Sequence, residues 1–128
     1  MSVEPTEVSN REQELQTAVS RLVGGYPEVA VARDGFNSVV FRVREKSFVR
    51  IAGEEMCFKS SRESQELLIQ QEPYWKTAYF GQYGWVSTWA NEPNSWDELQ
   101  PLLMEAYCLA APKRLVTQLL QTGNEGRS

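Results

Sequence analysis

Val39-Val40-Phe41-Arg42-Val43-Arg44-Glu45-Lys46-Ser47-Phe48-Val49-Arg50-Ile51 is the stretch where the spacing of apolar residues changes from helical to alternating. Val39, Phe41 and Val43 alternate with Val40, Arg42 and Arg44; after the polar turn Arg44-Glu45-Lys46, the residues Ser47, Val49 and Ile51 alternate with Phe48, Arg50 and Ala52. A period of two places every second side chain on the same face of an extended chain, so the stretch reads as a hairpin with one greasy face. Gly53-Glu54-Glu55 then turns into a third strand at 56–59. Two further strands fit 76–80 and 85–90, joined by the turn Gly81-Gln82-Tyr83-Gly84.

Helices frame these strands. Ser9-x-x-Glu12, Ser60-x-x-Glu63 and Ser95-x-x-Glu98 are capping boxes, in which the serine hydroxyl accepts from a helix amide and the glutamate reaches back to the serine amide. After Ser9, Leu15, Ala18, Val19, Leu22 and Val23 recur at helical spacing until Gly24-Gly25 supplies a stop. After Ser60, Leu67, Leu68 and Ile69 give a short helix that must end before Pro73. After Ser95, Trp96, Leu99, Leu102, Leu103, Ala106, Tyr107 and Ala110 form an apolar stripe. Pro101 lies too deep for the first turn of a helix begun at Trp96, so either the helix kinks there or a single turn precedes a helix starting at Pro101. A terminal helix fits 113–121. The order is helix, three strands, helix, two strands, helix. It implies an α+β fold, an antiparallel sheet of about five strands with helices packed on one face as a two-layer sandwich. The 128 residues suit a single domain at 9–121, with flexible tails at 1–8 and 122–128.

The composition, 41% hydrophobic and 23% charged, is that of an ordinary soluble domain. No apolar run is long enough to span a bilayer and the start lacks a signal-peptide pattern, so the expected home is the cytoplasm. Cys57 and Cys108 fall in apolar patterns and read as small buried hydrophobes. The chain has no histidine, which removes the Ser-His and Cys-His nucleophile pairs, the histidine base and the histidine metal site. Two isolated thiols build no four-cysteine zinc site, and Gly24-Gly25 and Gly81-x-x-Gly84 match no phosphate-binding motif. The expectation is a protein without catalytic residues, without a cofactor and without a resident metal.

The segments just described, taken together, resemble the MmcQ/YjbR-like family. The amphipathic first helix, the hairpin at 39–51, Met56-Cys57-Phe58-Lys59 leading into a short helix, Ala78-Tyr79 with Gly84-Trp85-Val86, and Asp97-Glu98-Leu99 through Ala106-Tyr107 follow its pattern from about residue 9 to 112. The resemblance implies a fold similar to that of the frataxin/CyaY proteins. It also implies a double-wing DNA-binding motif, and hence DNA as a partner.

Charge bears on that implication. The chain holds 13 basic and 17 acidic residues, a net charge of −4, which repels a polyanion. The distribution is uneven: residues 31–50 carry Arg33, Arg42, Arg44, Lys46 and Arg50 against Asp34 and Glu45. Arg42, Arg44 and Lys46 gather at the predicted hairpin tip, as a groove-probing wing requires, and with Arg50 they are the nucleic-acid-binding candidates. The same charges also suit a solvated sheet edge. Tyr74, Trp75, Tyr79, Tyr83, Trp85, Trp89 and Trp96 crowd one region. They read as core or as a stacking platform, with Tyr83 and Trp85 the candidates for contact with a ligand or protein partner. Glu98 and Glu105 would add an acidic surface. Iron binding of the frataxin kind is a distant third reading, because Glu12 and Glu14 point in different directions on a helix and Glu54-Glu55 lie in a turn.

Overall fold

The expected hairpin forms as β2 (Val39–Val43) and β3 (Lys46–Ala52) in the computed structural model, which describes residues 3–35, 37–78, 80–89 and 96–125. With β1 (Val29–Arg33), β4 (Glu55–Lys59), β5 (Tyr74–Lys76) and β6 (Trp85–Trp89) it makes one antiparallel sheet in the order β1-β2-β3-β4-β6-β5. Four helices pack against it: α1 (Val3–Val23), α2 (Arg62–Leu68), α3 (Trp96–Ala110) and α4 (Lys113–Glu125). The result is the α+β two-layer sandwich that the alternation implied. No helix among the described residues is long and apolar enough to cross a membrane.

The sheet's greasy face makes the core. Val39, Phe41, Val49, Ile51, Met56, Phe58 and Val86 meet Leu99, Leu103 and Ala106 of α3, Leu15, Val19 and Val23 of α1, and Leu115 of α4, all buried. Truncating one of these large apolar side chains to alanine typically costs about 2–5 kcal/mol. Tyr107 is the centre: fully buried, it meets the rings of Tyr26 and Phe48 edge-on at 5.1 and 5.6 Å, and its hydroxyl donates to the Pro27 carbonyl at 2.8 Å.

Several elements depart from expectation, each for a physical reason. The sheet has six strands because β1, Val-Ala-Val-Ala-Arg, joins at an edge where most of its side chains are exposed; apolar on both faces, it shows no alternation. Strict alternation separates Phe48 from Val49, yet a bulge lets both enter the core: Phe41 pairs with Val49 but Arg42 pairs with Ser47. The β2–β3 turn is two residues, Arg44-Glu45, and the β3–β4 turn is Gly53-Glu54. The strand expected at 76–80 starts earlier, at Tyr74, whose buried ring joins the core; by Phe80–Tyr83 the chain has wound into a 3-10 turn.

Of the capping boxes, the one at Ser60 shifts by one residue. The Ser60 amide still pairs with the sheet at the Gly84 carbonyl, so Ser61 caps α2 and its hydroxyl accepts from the Ser64 amide at 3.1 Å. Gly84 permits that pairing: its φ is +97°, and a Cβ there would stand 2.3 Å from the Ser60 carbonyl oxygen. Ser9 lies inside α1, which begins at Val3, and so does not cap it. Ser95 lies outside the described residues. Pro101 sits within one continuous α3.

Candidate nucleic-acid interface

The turn Arg44-Glu45 closes the β2–β3 hairpin with Arg44 at φ +58°, a left-handed backbone suited to Gly or Asn. There the Arg44 guanidinium donates from Nε and Nη2 to the two carboxylate oxygens of Glu28, at 2.9 and 3.2 Å. These hydrogen bonds hold the Glu28 carboxyl below the usual carboxylate range against an opposing desolvation, with lesser help from the Arg44 charge and least from Arg114 of α4. Glu28 also has a left-handed backbone, φ +58°. Arg42 and Lys46 are exposed beside the turn, Arg42 on the sheet face away from the helices.

Arg50 is placed differently. Its guanidinium forms an ion pair with Asp34 and lies 5.2 Å from the centre of the Phe80 ring. Asp34 in turn accepts from the Ser38 amide at 2.9 Å. With its side chain only 19% exposed, Arg50 is anchored in the sheet and has little reach toward a partner. Of the four basic candidates, the structure brings Arg42, Arg44 and Lys46 together at one end and leaves Arg50 in the middle.

The helix-free face around Arg50 is polar and aromatic. Arg50, Cys57, Ser87 and Trp75 are register partners in one row across β3, β4, β6 and β5. The Ser87 hydroxyl donates to Glu55 at 2.7 Å and lies 2.9 Å from the Thr77 hydroxyl. Burial, seconded by the Glu55 charge, pushes the Cys57 thiol up to about 12, so it is a protonated, unreactive group at neutral pH. Both cysteines are free, Cys57 buried and Cys108 half-buried. Trp75 and Trp89 meet with ring centres 4.8 Å apart, and Trp89 stays 50% exposed. Tyr83 is 65% exposed in its 3-10 turn, whereas Trp85 is buried and offers a partner almost no surface. Tyr79 and the side chain of Trp96 lie outside the described residues.

Among the described residues no group of three or more Cys, Asp or Glu is arranged to hold a metal ion. Glu12 accepts from Arg33 at 2.7 Å and from the Gly53 amide at 3.3 Å. Glu98 accepts from the Tyr74 hydroxyl and Glu105 from the Ser64 hydroxyl, which makes both part of the packing of α3.

Sequence reasoning missed Glu28. Nothing local marks it. It follows Pro27, whose carbonyl accepts from the Tyr107 hydroxyl of α3, and its carboxylate meets the hairpin at Arg44.

The comparisons with known proteins bear on the family and the fold. No curated protein matches the chain. A Deinococcus radiodurans crystal structure, protein DR2400 with a DUF419 domain, is similar in fold: the TM-score is 0.63 at 19% identity, over 79% of this chain and 84% of that one. The sequence model of the YjbR family matches residues 25–109, from just after α1 almost to the end of α3. That span is most of the domain, and the chain belongs to the YjbR family.

Proposed function

We propose that this protein binds DNA through the β2–β3 end of its sheet, works in the cytoplasm and catalyses no reaction. The observation that carries the reading is the clustering of exposed Arg42, Arg44 and Lys46 at this end, where the Arg44 guanidinium presents a two-donor fork. Arg42, Arg44 and Lys46 stand exposed together there, so a chain of net charge −4 has one end where cations gather. Phosphate neutralisation needs such a local surface more than it needs a basic protein. The absence of histidine and the high pKa of the Cys57 thiol support a binding role over a catalytic one.

The test is fluorescence anisotropy of labelled single- and double-stranded DNA, titrated with the protein at about 50 mM and about 200 mM salt. The expected result is micromolar or tighter binding at the lower salt that weakens steeply at the higher. No binding at the lower salt would sink the reading.

A second reading, a protein-interaction module, rests on the exposed aromatics Trp89 and Tyr83. It expects Tyr83→Ala or Trp89→Ala to abolish capture of a partner with weak salt dependence, while DNA binding is absent.

A further inference from the structure

We propose that Glu28 is an internal competitor for nucleic-acid phosphate: its carboxylate occupies the Arg44 fork that a phosphodiester would take, and so sets how tightly this end of the sheet holds DNA. The inference rests on the DNA-binding reading and deepens it.

The geometry is specific. A guanidinium donating two parallel hydrogen bonds is the arrangement that recognises carboxylate and phosphate alike, because both present two oxygens at matching separation. Arg44 makes such a pair with Glu28, from Nε and Nη2, with the two side chains 43% and 47% exposed. An exposed pair contributes little to stability and exchanges partners readily. The backbone adds an independent sign. Both residues hold a left-handed conformation, the first in a two-residue hairpin turn where Gly or Asn is preferred. Positions that keep a long charged side chain against the preference of the turn are where function is sought.

The experiment compares duplex-DNA anisotropy titrations of the full chain for the parent, Glu28→Gln, Glu28→Gln with Arg44→Ala, and the charge control Glu66→Gln. Glu66 is on α2, which packs on β5 and β6 at the other edge of the sheet. Glu28→Gln should bind about fivefold tighter, the scale of one exposed ion pair, and its salt slope should steepen by about 1. The gain should vanish when Arg44 is also removed, and Glu66→Gln should not reproduce it. Glu28→Asn, whose side chain tolerates a left-handed backbone, should behave as Glu28→Gln and guards against a folding artefact. A Glu28→Gln affinity equal to that of the control, or a gain that survives Arg44→Ala, overturns the proposal while leaving parent binding intact. Absence of binding by both parent and Glu28→Gln overturns the DNA reading and this inference together.

Discussion

At one end of β3 the chain reverses through Arg44-Glu45, and at the other through Gly53-Glu54. Both turns are two residues long, both open on a left-handed residue (φ +58° and +64°), and both are tied to a glutamate from outside β2–β4. At the second turn the left-handed residue is glycine, and the tie to Glu12 uses its backbone amide. At the first the left-handed residue is arginine, and the tie to Glu28 uses its side chain. A side chain in left-handed backbone costs about 1 kcal/mol. The Gly53 turn therefore serves the geometry of the hairpin, and the Arg44 turn serves a guanidinium.

The largest expected effect separates the two ends by charge reversal. Arg42→Glu with Arg44→Glu should lower DNA affinity by about 100-fold or more, since two phosphate contacts are removed and two repulsions added. Glu54→Lys, at the other turn, should change it by less than about twofold at 0.15 M salt. The seven residues of β3 separate the turns by roughly 20 Å, more than two Debye lengths of about 8 Å. Equal responses at the two ends would break the comparison, because binding would then follow net charge and not position.

Much of the fold was legible because burial was written as period. Val39, Phe41, Val49 and Ile51 alternate and are buried, and Leu99, Leu103 and Ala106 repeat helically and are buried. β1 was not legible, because Val29-Ala30-Val31-Ala32 is apolar on both faces and lies at an exposed edge. Ser60 and Ser61 are both plausible caps in sequence, and only the bond from the Ser60 amide to Gly84 chooses between them. The site divides in the same way. Arg42, Arg44 and Lys46 are neighbours in the chain, so their cluster could be read. Arg50 follows the same alternation, but Asp34, 16 residues away, holds it. Glu28 stands at the same separation from Arg44. Partners at such distances are set by strand pairing and carry no local signal.

A smaller effect tests whether the two ends unfold as one body. Burial raises Cys57 from 9.0 to about 12, and raises Tyr74 and Tyr107 from 10.0 to about 12. These acids ionise later in the folded chain than in the unfolded one. Their contribution is thus complete below pH 9 and is lost as pH rises from about 9 to 12. Tyr107 holds Pro27 behind the Arg44 turn, Tyr74 holds Glu98 on α3, and Cys57 lies between the turns opposite Arg50. Thermal melts should fall steadily over that window, with both turns gaining hydrogen exchange together. Early release of one turn alone would show that the two ends are separate cooperative units.

The smallest effect makes the sharpest contrast. Gly53→Ala meets no atom within 4 Å, so only its φ of +64° opposes the new Cβ, and the expected loss is about 1 kcal/mol in urea unfolding with an unchanged slope. DNA affinity should stay at the parent value. Arg44→Gly relieves the same kind of strain while losing one exposed ion pair, so stability should stay near the parent's, yet DNA should bind about fivefold more weakly. One substitution thus touches stability and spares binding, and the other does the reverse. If Arg44→Gly instead destabilises the protein as much as Gly53→Ala does and leaves DNA binding unchanged, the Arg44–Glu28 pair is a structural clasp, and the two turns differ in residue but not in purpose.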